Sequence, residues 1–251
     1  MSFDSLGLSA PLLKAVAKKG YTEPSPIQLK AIPPILDGRD VLASAQTGTG
    51  KTAGFTLPLL ERLSETHPKM HKNQIRVLVL TPTRELAAQV AESIKTYGKY
   101  MKYSSTVIFG GVGINPQLAT ISKGVDIVIA TPGRLLDIAG QKGIDFSALE
   151  TLVLDEADRM LDMEFTKDIR KIHPILPKNH QTLLFSATYS DKVRKLSRLV
   201  LRSPAFIETS KKNSTVDTIN QKVYLVDKER KAELLAYLIG SRNYPQVLVF
   251  T

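Results

Sequence analysis

"SAQTGTGKT", residues 44–52, sets two glycines, three threonines and one lysine between a short apolar run, Val41-Leu42-Ala43, and a longer stretch of helical periodicity that begins at Thr52. A glycine-rich turn leading from a strand into a helix presents backbone N–H groups and the positive end of the helix dipole to an anion, and glycine lets the anion come close. Gly48, Gly50, Lys51 and Thr52 close the phosphate-binding pattern G-x-x-x-x-G-K-[ST], with Ala45 standing where the pattern has its first glycine. Lys51 is suited to neutralise β- and γ-phosphates, and the Thr52 hydroxyl to ligate Mg²⁺.

Outward from this loop the chain alternates. Runs rich in Val, Ile and Leu at Val41–Ala43, Arg76–Leu80, Thr106–Phe109, Asp126–Ala130, Thr151–Leu154 and Gln181–Phe185 read as buried strands. Stretches of helical spacing separate most of them, including Ala53–Leu63, Glu85–Tyr100 and Asp191–Leu201. Such alternation predicts an α/β fold, a mostly parallel sheet covered by helices on both faces. Two further helices, Ala10–Lys19 and Ile27–Leu36, precede the first strand and flank the turn-rich "GYTEPSP". Residues 209–220, "TSKKNSTVDTIN", are nearly devoid of apolar side chains and read as a linker. Beyond it a strand (Lys222–Val226), a helix (Glu229–Ile239) and a strand (Gln246–Phe250) are too few to bury a core of their own. The expected division is a first domain over 1–208, a linker over 209–220 and a truncated start of a second domain over 221–251.

Composition narrows the function classes. A formal charge of +10, spread along the chain rather than gathered in a tail, favours an anionic partner, nucleic acid foremost. The sequence has no cysteine, which removes disulfides and thiolate metal sites and agrees with a reducing compartment. The four histidines show no metal-ligand spacing, so metal use is expected only as Mg²⁺ carried with a nucleotide. No apolar run reaches membrane-spanning length, and the expected location is cytoplasmic.

A second chemical signal is "LVLDEAD", residues 152–158: an apolar strand delivering carboxylates at its C-terminal end, where the ligands of parallel sheets collect. Asp155 is suited to hold Mg²⁺, and Glu156 to orient or deprotonate an attacking water.

In this setting "VLDEAD" resembles the DEAD-box ATP-dependent RNA helicases, and other stretches match that family in order. "GYTEPSPIQ", residues 20–28, is similar to its Q motif, with Phe3 at the upstream aromatic position. "PTREL" (82–86), Gly110-Gly111 and "TPGR" (131–134) resemble its RNA-contacting motifs, and "SAT" (186–188) its coupling motif.

The resemblance implies a RecA-like P-loop domain that uses ATP and Mg²⁺, with Lys51, Asp155 and Glu156 catalytic and Thr52 and Asp155 on the metal. It assigns ATP binding to Phe3, Tyr21, Gln28, Thr47, Gly48, Thr49, Gly50, Lys51 and Thr52. The Gln28 amide suits the N6 and N7 edge of adenine, and Phe3 can stack on the base. Pro82, Thr83, Arg84, Gly110, Gly111, Thr131, Pro132, Gly133 and Arg134 are assigned to the RNA backbone. Ser186, Ala187 and Thr188 are assigned to coupling with a second RecA-like domain. The implied activity is RNA-stimulated ATP hydrolysis that locally unwinds short duplexes, with residues 1–251 competent to bind nucleotide but poorly active alone.

Overall fold

The structure is a computed structural model that describes residues 2–66, 68, 70–209, 220, 222–242 and 244–250. The chain divides into two compact units, residues 1–211 and 212–251.

In the first unit, a 3₁₀ turn (Phe3–Leu6) and helices α1 (Ala10–Lys18) and α2 (Pro26–Leu36) precede β1 (Val41–Ser44) and α3 (Lys51–Glu65). Next come β2 (Ile75–Leu80), α4 (Arg84–Tyr97), β3 (Ser105–Ile108), α5 (Asn115–Ile121), β4 (Val125–Ala130) and α6 (Pro132–Gly140). The unit closes with β5 (Thr151–Leu154), α7 (Ala157–Asp162), α8 (Thr166–Ile172), β6 (Gln181–Ser186), α9 (Asp191–Val200) and β7 (Ala205–Glu208). The seven strands form one sheet in the order β3-β4-β2-β5-β6-β1-β7, and every pairing is parallel.

Side chains alternate across a strand, so one strand feeds two cores. Val77, Val79, Val153, Leu183 and Phe185 pack with α1–α4, and Phe55 of α3 meets Phe185 at 5.2 Å between ring centroids. Leu78, Leu80, Leu152, Leu154 and Leu184 face the other way, into a core with Leu135 of α6, Met160 of α7, Ile169 of α8 and Leu196 of α9. Both faces are therefore covered, as the continuous apolar runs predict.

Strand order sorts the loops at the carboxyl edge. The loops after β1, β5 and β6 lie on one half of the sheet, and those after β2, β4 and β3 on the other. Because β6 runs between β5 and β1, the segment that follows it is wedged between the loops of its two neighbours.

Several expectations need correction. The helix expected over Glu85–Tyr100 ends at Tyr97, where Gly98 caps it and donates its N–H to Ile94 O at 2.8 Å. The helix expected over Ala53–Leu63 begins two residues earlier, at Lys51, and runs to Glu65 through Pro58. Edge strand β7, with its half-exposed pattern, was not legible from apolar content.

In the second unit, a 3₁₀ turn (Lys228–Arg230) leads into α10 (Lys231–Arg242). The strands expected at Lys222–Val226 and Gln246–Phe250 are not formed: neither segment has regular structure, and Leu225 and Phe250 are exposed. A strand needs a paired neighbour to satisfy its backbone, and this unit supplies none among its described residues. The linker expected over 209–220 lies, apart from Thr209 and Asn220, outside the described residues.

Candidate functional site

A cavity of about 550 Å³ opens at the carboxyl edge, within the size range of small-molecule sites. Residues 47–53 form its floor, Asp155 and Glu156 one wall, and Tyr21, Ser25 and Gln28 another. The loop takes its shape from glycine: Gly48 and Gly50 have φ of +79° and +91°. A Cβ at Gly48 would meet nothing within 4 Å, whereas one at Gly50 would collide with Gln28 Nε2. Gly50 is thus required by its backbone, and a side chain there would also displace the Gln28 amide. Thr49 Oγ1 donates to Gln46 O at 2.7 Å and braces the turn.

Lys51 and Glu156, 105 positions apart, meet here: Lys51 Nζ lies 3.0 Å from Glu156 Oε1, with both side chains largely buried. The contact is ionic rather than a directed hydrogen bond, and Nζ makes no hydrogen bond among the described residues. Asp155 is buried beside the pair, and its Oδ1 accepts the Glu156 N–H at 3.0 Å. Burial, reinforced by the Glu156 carboxylate and opposed by Lys51, pushes the Asp155 carboxyl up to about 7. Glu156 has φ of +54°, a left-handed conformation that costs free energy in a non-glycine residue and aims its carboxylate at the cavity while α7 begins. An undercoordinated lysine, a glycine cradle and a carboxyl short of positive charge are the features that fit a polyphosphate with its divalent cation.

Gln28 joins α2 to this loop. Its Oε1 accepts the Ser25 N–H at 2.9 Å and its Nε2 donates to Gly50 O at 3.1 Å. One donor and one acceptor of the amide are therefore engaged, leaving one further donor hydrogen and one acceptor lone pair. Tyr21 is exposed along the rim, while Thr47 and Thr52 line the floor. Phe3, expected against a base, is instead buried in the core and does not line the cavity, because the Phe3–Leu6 turn directs both of its ends inward.

The segment after β6 ties the start of α7 to the glycine-rich loop after β1. Thr188 N–H is shared between Asp158 Oδ2 at 3.0 Å and Ser186 Oγ at 3.4 Å, and Ser186 O accepts the Ala45 N–H at 3.1 Å. Ser186 is buried, Ala187 half-buried and Thr188 exposed.

On the other half of the edge, the ends of β2, β3 and β4 bring three distant segments together. Thr83 caps α4, accepting the Leu86 N–H, and Pro82 before it is buried. Arg84 lies 5.9 Å from the Phe109 ring centroid, beside Gly111, where a Cβ would come within 3.1 Å of its guanidinium. Thr131 and Pro132 start α6, and Arg134 Nη2 donates to Val112 O at 2.9 Å, with Nε 3.6 Å from Asp137. Arg134 Nε and Nη1 are buried without a hydrogen bond, and Gly110 and Gly133 face open space. Exposed Arg84 beside bare backbone offers donors to an anionic strand, whereas the Arg134 guanidinium is largely buried against Val112 and Asp137 and braces that surface.

Residues 25–196 match the family model described as DEAD/DEAH box helicase. The chain belongs to this family. It is 42% identical over 250 residues to the DEAD-box ATP-dependent RNA helicase RhpA of Helicobacter pylori, covering 100% of this chain and 50% of that protein. It is 43% identical to the ATP-dependent RNA helicase DeaD of Escherichia coli, covering 99% of this chain and 39% of that protein. The chain thus spans half or less of the length of these relatives. The crystal structure of a DEAD box protein from the hyperthermophile Methanococcus jannaschii superposes with a TM-score of 0.78 at 37% identity, over 95% of this chain and 63% of that one. The first unit of this family member is accordingly RecA-like.

Sequence reasoning missed one wall of the cavity. Leu86, Gln89, Val90, Ser93 and Tyr97 of α4 line it, and burial, with Tyr21 as a lesser cause, pushes the Tyr97 hydroxyl up to about 12. Their i, i+3, i+4 spacing reads only as an amphipathic helix. What that face covers depends on where β2 sits in the sheet.

Proposed function

We propose that this chain is the nucleotide-binding and RNA-binding part of an ATP-dependent RNA helicase that works in the cytoplasm. The observation that carries the reading is the 3.0 Å contact of Lys51 with Glu156 beside buried Asp155. It joins a phosphate-binding loop to paired carboxylates, the combination that phosphoryl chemistry needs. Lys51 and the N–H groups of residues 48–52 would hold the phosphates, and Thr52 and Asp155 the Mg²⁺. Bound Mg²⁺ supplies charge that offsets the phosphate oxygens and the buried carboxylate. Glu156 would turn from Lys51 to orient the attacking water and hold its proton at Oε1. Gln28 would present its remaining donor and acceptor to adenine, and Tyr21 its ring.

Arg84, Arg134 and the backbone of Gly110, Gly111, Thr131 and Gly133 would hold a single strand without reading its bases. Ser186–Thr188, bonded to Asp158 of α7 and to Ala45 at the start of the glycine-rich loop, would relay the nucleotide state to a second RecA-like domain. We place the start of that domain in residues 221–251, where most of the large apolar side chains of the described residues, Leu225, Tyr237, Leu248 and Phe250 among them, are exposed. Calorimetric titration with ADP and Mg²⁺ tests the reading. Lys51→Ala deletes a charge-assisted contact worth roughly 1.5–3 kcal/mol, so affinity should fall at least about tenfold. An affinity within twofold of wild type refutes it.

A further inference from the structure

A groove of about 780 Å³ lies between α8 and α9, on the sheet face opposite α1–α4. Five cations line it, Lys167 and Arg170 from α8 and Lys192, Lys195 and Arg198 from α9, against one carboxylate, Glu164. All five are exposed, and none forms an ion pair among the described residues. Asp191, the acidic neighbour of Lys192, is engaged by Arg194 at 3.5 Å.

Helix electrostatics accounts for Arg170 and Arg198, which lie in the last turns of α8 and α9, but not for the three lysines. Lys167 falls in the first turn of α8, and Lys192 and Lys195 in the first half of α9, where the helix dipole disfavours cations. Their spacing has another consequence: Lys192, Lys195 and Arg198 recur every three residues and form one row, and Lys167 and Arg170 form a second on the other helix. An object in the groove meets positive charge from both walls.

The lining also discriminates among anions. It contains no aromatic side chain on which unpaired bases could stack. Leu161 and Leu196 are buried in the core, leaving Leu199 as the exposed large apolar side chain of the lining, a poor floor for an amphipathic acidic helix. Duplex RNA needs neither: its bases stay stacked, it is gripped through phosphates and shape, and lysine serves as a point charge.

We propose that this groove docks the backbone of double-stranded RNA, independently of sequence and separately from the Arg84 and Arg134 surface. The proposal rests on the reading of the chain as part of an RNA helicase.

The test is fluorescence anisotropy of the 251-residue protein with a blunt 16-base-pair RNA duplex and with a 16-nucleotide uridine strand, each at several salt concentrations. Lys192→Glu/Lys195→Glu should weaken duplex binding at least tenfold and lower its salt slope by about two, near 0.9 per lost phosphate contact. Uridine-strand affinity should stay within twofold, and thermal melts should match wild type because both side chains are exposed. Lys167→Glu/Arg170→Glu, on the facing wall, should behave alike. Duplex affinity within twofold of wild type in both variants overturns the groove, and retained strand binding then leaves the helicase reading standing. Equal losses for duplex and strand also overturn it, since the groove would then be only part of a diffuse basic surface. So does a leucine-striped, glutamate-rich helical peptide that binds wild type but not Lys192→Glu/Lys195→Glu while duplex binding is unchanged, an outcome that assigns the groove to an acidic protein.

Discussion

Asp155→Asn should stabilise the fold while abolishing the function proposed for it. The wild-type carboxyl is pushed up to about 7 mainly by burial, so keeping it ionised in the folded protein at pH 8 costs up to about 4 kcal/mol. The amide is isosteric and uncharged, and its oxygen can still accept the Glu156 N–H. Because its NH₂ group is buried with imperfect partners, about half of that ceiling, about 2 kcal/mol, is the expected gain. For a chain of this size that is roughly 4–8 °C in Tm.

The sign of the pH dependence follows from linkage. With the folded pKa above the unfolded one, the native state keeps a proton that the unfolded state has released, so wild-type stability falls as pH rises from about 4 to about 7. The Tm advantage of Asp155→Asn should therefore be smallest at pH 5 and level off above pH 7 in scanning calorimetry without nucleotide. Adding ADP and Mg²⁺ should reverse the order, raising the Tm of wild type but not of the variant. A Tm difference independent of pH, or a less stable variant at pH 8, refutes the reasoning.

Gln28→Ala should narrow a preference for ADP over GDP. It should also cost about 1–2 kcal/mol of stability, because the Ser25 N–H and Gly50 O lose their partner, which parallel binding and melting measurements check. Arg134→Ala combined with Arg84→Ala should abolish weak, salt-sensitive binding of single strands by this chain. Tight binding insensitive to salt in wild type would show the surface to be misread. Phosphate release by residues 1–251 should respond little to RNA, since arginine supplied to the γ-phosphate by a partner surface is worth about 10³–10⁵ in rate in related P-loop enzymes. Robust RNA-stimulated turnover abolished by Glu156→Gln would overturn that dependence.

The sequence by itself determined the fold class, because continuous Val, Ile and Leu runs separated by helical spacing have few outlets other than a parallel sheet covered on both faces. It also determined the phosphate-binding loop, whose glycines, lysine and threonine act within nine consecutive residues and whose chemistry is local. Where distant segments meet was decided by strand order alone. The register that sets β6 between β5 and β1 brings Thr188 to Asp158 and Ser186 to Ala45, and no periodicity in the chain encodes that adjacency. The same holds for the α4 wall of the cavity and for the facing rows of α8 and α9, which look in sequence like ordinary solvated helices. Phe3 marks the opposite limit: an aromatic that the family pattern assigns to the base is drawn into the core because burying its apolar surface there outweighs leaving it at the rim. Local chemistry is written in neighbouring residues, but a site assembled from several strand ends exists only once the sheet has ordered them.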